Sequence, residues 1–549
     1  MTATSCETRG RGAGHDDIMS DDPDRGIVSV PQLDSPAMPA EAVPDRPRPV
    51  PGRTPPVIRL LVLATFVVIL NETIMVNAIP QLMEALSITA QTAQWLSTAF
   101  MLTMAAVIPI TGWFLQRVST RQAYTVAMGL FLLGTALAAA APTFEVLLGA
   151  RIVQASGTAV MMPLLMTTLM QVVPEEDRGR VMGNMSLAIS VAPAMGPAVS
   201  GLILQFGSWR LLFAVVLPIA AVITWRGLAR LKNVGEPEYS TVDWLSVVTA
   251  AAGFGGLVYG LSLFEGGDAF VAAATVAAGL AAIIVFVVRQ LVLQKRSASP
   301  EDLHKEHTAP PADLRSASPA KPPKKHTTPL MDLRALRHRT FTVALILMSV
   351  SFMAMLGSMI LLPLYLQSVR ELSPLQTGLL VMPGGLAMGL LGPVVGRLFD
   401  RFGGRVLVIP GAVGIALALT GFTQVTMTMP FWQLLGLHAL LMVSLAATFT
   451  PVFTLGLGAV PPHLYSHASS ILSTLQQVAA AFGTALVVTV MSARADALRA
   501  TGATEALATL GGMRMAFVIG AVLSVVVIVT ALLLPARADN AGGHGGHGH

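Results

Sequence analysis

The sequence predicts an all-α membrane protein with fourteen transmembrane helices, arranged as two six-helix pseudo-repeats with two extra helices between them. Three observations carry that expectation: apolar runs of membrane-crossing length, very little charge inside them, and arginines gathered on alternate connecting turns. Of 549 residues, 53% are apolar and 12% charged, and the mean hydropathy is +0.67. A soluble globular domain carries roughly 25% charged residues.

A span needs about 20 mostly apolar residues. The first such run, 57–80, contains Glu72 and ends at Pro80, and 95–116 and 122–141 follow. Arg151 lies in 144–173, and Pro193 in 181–205. After 210–229 come 243–264 and 269–293, then a break, and then 341–366, 375–397, 406–425, 431–458, 467–492 and 515–534. Pro109, Pro193 and Pro383 sit inside runs, where neighbouring helices or water satisfy the freed backbone groups.

The divisions follow. Residues 1–55 are rich in Pro, Asp and Arg, lack an apolar core, and read as a disordered cytoplasmic tail rather than a signal peptide. An N-terminal six-helix bundle is expected over 56–230, two inserted helices over 231–293, and a C-terminal six-helix bundle over 341–535. Residues 294–340 form a Pro-, Lys- and His-rich linker, read as a spacer whose basic charge also suits anionic lipid. Residues 536–549 form a Gly/His tail; HGGHGH, His544 to His549, reads as disordered rather than as a metal site.

Orientation comes from the arginines and lysines, which favour the cytoplasmic side. With the N-terminus inside, only Arg210, Arg370, Arg494, Arg499 and Arg514 fall outside, and Arg151 stays within the membrane. Both termini are then cytoplasmic. A net charge of +5 reflects these loops and not nucleic-acid binding, since no stretch interleaves basic with aromatic residues. Cys6 is the only cysteine, which excludes an internal disulfide and a cysteine-based metal site. No cluster of Asp, His or Cys suggests a membrane-embedded lipid-modifying enzyme, and neither tail offers a receptor's output domain.

The loop after the second run reads GWFLQRVSTR, and that after the tenth reads GRLFDRFGGR. Gly112, Arg117 and Arg121 thus recur as Gly396, Arg401 and Arg405. Internal repeats of this kind build many transporters, with the substrate site between the repeats. The repeats are six helices long if the seventh and eighth are the insertion.

Glu72 and Arg151 are the only ionisable groups placed well inside the bilayer, and such groups mark function by default. Burial raises a carboxylate pKa and a nearby cation lowers it, which suits a proton carrier whose environment changes. The alternative is a static pair that ties two helices together, although desolvation offsets much of that attraction.

The order of motifs resembles the major facilitator superfamily, and within it the fourteen-helix drug/proton antiporter branch, over about residues 57–534. LNETIMVNAIP, Leu70 to Pro80, is similar to an acid-containing first-helix signature. The loop pattern G-x-x-x-D-R-x-G-x-R is complete at Gly396, Asp400, Arg401, Gly403 and Arg405. R-x-x-Q stands at Arg151 and Gln154, and GPAVSG, Gly196 to Gly201, follows Pro193. LPLYLQ, Leu362 to Gln367, and SPLQTG, Ser373 to Gly378, also look like this branch. Two positions depart from the pattern: Asn71 stands where the family carries an acid, with Glu72 beside it, and the first loop has Gln116 and Ser119 in place of Asp and Gly.

The resemblance implies a proton-coupled antiporter that exports amphipathic, lipophilic and cationic drugs by alternating access, powered by the proton gradient without a cofactor. It implies a bacterial cytoplasmic membrane and accessory periplasmic proteins as possible partners. Glu72 and Arg151 become the proton-coupling pair; Asn71, Asn77, Gln154 and Met162 become cavity residues. Pro193, Gly196, Pro197 and Gly201 become the antiporter motif of the fifth helix. Gly112, Gln116, Arg117, Arg121, Gly396, Asp400, Arg401 and Arg405 become cytoplasmic gating loops. The plainer readings are helix–helix hydrogen bonding for Asn77, Gln154, His438, Gln476 and Gln477, lipid contact for most of the 28 methionines, and simple topology for the arginines. A dedicated exporter of one natural product or lipid is the second transport reading.

Overall fold

A computed structural model describes residues 54–75, 78–88, 90–231, 233, 243–264, 269–297, 329–372 and 374–535. The tails (1–53 and 536–549), most of the expected linker (298–328) and Asn77 lie outside these residues. Fifteen α-helices appear in order: α1 Pro56–Ile74, α2 Ile79–Leu86, α3 Ala90–Arg117, α4 Thr120–Ala140, α5 Phe144–Val172, α6 Arg178–Leu204, α7 Arg210–Arg230, α8 Trp244–Leu263, α9 Ala269–Ser297, α10 Arg339–Leu364, α11 Pro374–Phe402, α12 Arg405–Phe422, α13 Phe431–Gly458, α14 Tyr465–Ala500 and α15 Glu505–Leu533. Among the described residues, 13 helices are long and apolar enough to cross a membrane. The expected segment 181–205 is not one of the 13; it coincides with α6, a helix of 27 residues.

The first expected span is interrupted, which corrects the reading of 57–80 as one helix. α1 stops at Ile74, and the short α2 begins at Ile79 with Pro80 in its first turn. Proline has no N–H, and its ring crowds the carbonyl four residues back, so a helix running through Val76 into Pro80 is opposed. In the second half, α10 passes Pro363 and loosens into a π-turn at Tyr365–Val369.

Helices α1 and α3–α7 pack on one another, as do α10–α15. The two groups meet along α6 against α11 and along α3 against α14. Glycines make the first seam possible: a Cβ on Gly396 would collide with the Gly179 carbonyl, and one on Gly183 with the Gly392 carbonyl. Between helices in lipid the hydrophobic effect gives no drive, so backbones that approach this closely gain dispersion contact instead. The inserted pair α8–α9 packs on itself, and α8 leans on both α3 and α14.

Candidate functional site

The last turn of α1 carries Asn71, Glu72 and Thr73, immediately before the helix ends at Ile74. The Thr73 hydroxyl donates to the Leu70 carbonyl at 3.0 Å and lies against Gly196 of α6, where a Cβ would strike its oxygen. That contact fixes the rotation of α1. Residues along a helix are about 100° apart, so Glu72 points to one side of the α1–α6 contact and Asn71 away from it. Asn71 is fully buried, and among the described residues neither of its amide atoms has a hydrogen-bond partner. Glu72 is half-buried.

Arg151 is buried in α5, which packs on α1. Glu72 and Arg151 lie within electrostatic reach of each other but form no ion pair. A chain of hydrogen bonds holds the guanidinium instead. Arg151 Nη1 donates to Gln154 Oε1 at 2.7 Å, Gln154 Nε2 donates to Thr135 Oγ1 at 2.8 Å, and the Thr135 hydroxyl donates to the Phe131 carbonyl at 2.6 Å. The donors leave one consistent arrangement: a guanidinium only donates, so the Gln154 oxygen faces Arg151 and its NH2 faces α4. The Phe100 ring of α3 lies beneath the guanidinium, 4.1 Å from its carbon, which favours a buried cation. Four helices thus present one fixed positive charge behind a half-buried carboxylate.

The second cluster joins the halves. Asp400, at the end of α11, accepts the backbone N–H groups of Gly179 and Arg180 at 2.8 and 2.7 Å. Those groups belong to the first turn of α6, where orphan donors and the helix dipole both favour an anion. Gln116 Nε2 donates to the His463 carbonyl at 3.1 Å, just before α14. Arg178 Nη2 reaches the Tyr465 hydroxyl at 3.4 Å, the Ser470 hydroxyl donates to the Ile108 carbonyl at 2.7 Å, and Ser186 and Thr450 share a bond at 3.0 Å. Gly112 gives α14 room, since a Cβ there would press on His467 and Ser470 at 3.1 and 3.2 Å. Each of these contacts lies toward the helix ends that carry Arg117, Arg178 and Arg401.

Several expected residues stand apart. Arg401, Arg405 and Arg121 are exposed; Arg401 stacks on its neighbour Phe402, and Arg117 on Trp113. Topology accounts for these arginines but not for Asp400. Met162 and Pro193 are half-buried, and Pro197 lies within α6. A Cβ on Gly201 would meet nothing, so close packing explains Gly196 but not Gly201. His438 is buried against Gly384, as a packing residue. Sequence reasoning missed Thr135, Phe100, Ser186, Thr450, Tyr465 and Ser470. The run YSHASS, Tyr465 to Ser470, was the available signal: small polar residues opening an apolar helix.

Residues 61–484 match the family model described as Major Facilitator Superfamily. The uncharacterized MFS-type transporter YcnB of Bacillus subtilis is 35% identical over 472 residues, 86% of this chain and 93% of that one. The lincomycin resistance protein LmrB of Listeria innocua is 35% identical over 487 residues, 87% of this chain and 96% of that one. Among solved structures, the human organic anion transporter MFSD10 has the same fold, with a TM-score of 0.58 at 14% identity, covering 87% of this chain and all of that one.

Proposed function

The chain belongs to the Major Facilitator Superfamily, and from that premise we propose that it is a proton-coupled antiporter exporting lipophilic, amphipathic and cationic drugs across the bacterial cytoplasmic membrane. It is a multi-pass membrane transporter of small molecules and not an enzyme. Resistance-protein relatives such as LmrB favour drugs as the cargo.

The observation that carries the reading is the half-buried Glu72 with the fixed charge of Arg151 behind it. When Glu72 is ionised it attracts a cation into the space between the halves; when it takes a proton the attraction is lost and the cation leaves. Arg151 stays fixed as the proton moves, because among the described residues it is held by the Gln154 amide, which Thr135 in turn fixes. The clustered arginines assign the closed end to the cytoplasm. With that end held closed by contacts such as Asp400 on the α6 N-terminus, the proposed carrier would take up its proton from the outer side. A proton would enter Glu72 in this state, and opening of the arginine-rich end would then expose the site to drug and to the lower proton concentration inside.

Efflux of a fluorescent lipophilic cation from energised cells tests the reading. Cells making the protein should expel the dye, and a protonophore should abolish the difference from control cells. Dye retention equal to that of control cells across a panel of cationic and neutral compounds would remove drug export from consideration.

A further inference from the structure

Beyond the transport cycle, the stretch that leads into α10 is built into the closed end. Leu330, Met331 and Ala335 are at most 3% exposed, although they end the polar segment between the halves. Asp332 caps the short 3-10 turn Leu333–Arg337 by accepting the Arg334 N–H at 2.9 Å. The Met331 N–H donates to Gln290 Oε1 at 3.3 Å, and Gln290 Nε2 donates to Ser246 Oγ at 2.7 Å. Ser246 in turn donates to Asp243, and Arg289 grips both Asp243 oxygens at 2.6 Å. Arg334 Nη2 also donates to the Gln294 carbonyl at 3.1 Å. Residues 330–337 are therefore fastened to the N-terminal end of α8 and the C-terminal end of α9 by a continuous polar network.

The same stretch touches the second half. It packs on α10 and α14, and the His467 imidazole of α14 lies against the Leu330 backbone and within electrostatic reach of Asp332. His467 is also the residue that Gly112 of α3 admits. With α8 leaning on α3 and α14, the contacts close a ring: α3, α8, α9, the 330–337 stretch, α14, and back to α3. Separating α3 from α14 at this end has to break the ring somewhere.

We propose that Leu330–Arg337 is a latch, mounted on the α8–α9 pair, that keeps the C-terminal end of α3 and the N-terminal end of α14 together and lets go before that end opens. This gives the inserted pair a mechanical role in the cycle. It also separates the latch from the chain before it: the Arg334–Gln294 bond joins the two ends of that segment, so its length carries no strain to the latch. The inference does not depend on which residue carries the proton or on what is exported.

The test uses the full chain in lipid nanodiscs, with Cys6→Ser and Ser470→Cys as a reporter at the α3–α14 seam and a water-soluble maleimide added. Gln290→Leu and, separately, Asp243→Asn cut the network at different points. Either should speed labelling of the reporter by roughly two- to ten-fold, the factor expected for losing one hydrogen bond. Deleting 300–326 should leave the rate unchanged. Unchanged labelling in both cut proteins, or acceleration by the deletion equal to theirs, overturns the proposal. Size-exclusion profiles identify any variant that fails to fold, and the other variant then decides.

Discussion

Asp400 and Gly179, on opposite sides of the seam between the halves, are joined by a 2.8 Å hydrogen bond from the Gly179 N–H to the Asp400 carboxylate, whose second oxygen takes the next N–H at Arg180. The last turn of α11 thereby supplies the cap that α6 lacks from its own sequence, since Asp177 makes no side-chain cap there. A charge at a helix N-terminus contributes about 0.3–1 kcal/mol, and up to about 2 where it is partly buried.

Asp400→Asn keeps the shape and one acceptor but loses the charge. The contact across this seam should weaken by about 1 kcal/mol, and reporter labelling at Ser470→Cys should rise several-fold. Labelling equal to that of the parent would show that Asp400 does not hold the seam.

Thr135→Val removes the hydroxyl that fixes the Gln154 amide, and Thr135→Ser keeps it. Val should reduce dye efflux by about five-fold, in line with roughly 1 kcal/mol for a net hydrogen bond. Ser should restore at least half of the activity. If Val and Ser behave alike at equal expression, the chain from Phe131 to Arg151 does not position the guanidinium.

Gly396→Ala and Gly201→Ala form a matched pair. The first drives a Cβ into the Gly179 carbonyl, and the second meets empty space. Overpacking costs about 1–3 kcal/mol, so Gly396→Ala should lower the melting temperature or prevent closure. Gly201→Ala should be neutral or slightly stabilising, because Ala costs less entropy in a helix than Gly. Thermal unfolding in detergent measures both.

Much of the fold was legible because a membrane imposes a simple code: span length, absence of charge, and arginine sidedness. The repeat of Gly112, Arg117 and Arg121 at Gly396, Arg401 and Arg405 located matching segments, and both copies reach across the seam, the first through Gln116 and the second through Asp400. What could not be read was contact across long separations. Thr135 and Phe100 are ordinary residues in apolar helices, and only the packing of α3 and α4 on α5 gives them Arg151 as a partner. The break before Pro80 was hidden because the 57–80 run has the length and mostly apolar composition of a single span. The expected linker ended at 340, and nothing in its composition marked Leu330–Arg337 as a buried piece.

The Asp243 carboxyl is held below the ordinary carboxylate range, mainly by its hydrogen bonds from Arg289, with Ser246 adding to them and burial opposing. A lowered pKa in the folded state contributes stability that is complete above the unfolded-state pKa and disappears as the pH falls through the folded value. Asp243→Asn should therefore lower the melting temperature at neutral pH, and the gap from the parent should narrow as the pH drops below the usual carboxylate range. A gap that stays constant across that window would show that the Asp243–Arg289 contact adds nothing to folding.

The most direct measurement follows protons. Purified protein in liposomes, under an imposed pH gradient, is given a lipophilic cation while internal pH is read by a trapped dye. The parent should move protons in step with substrate, and Glu72→Gln should bind the cation poorly and show no substrate-dependent proton movement. Normal coupling in Glu72→Gln would contradict the account at its centre.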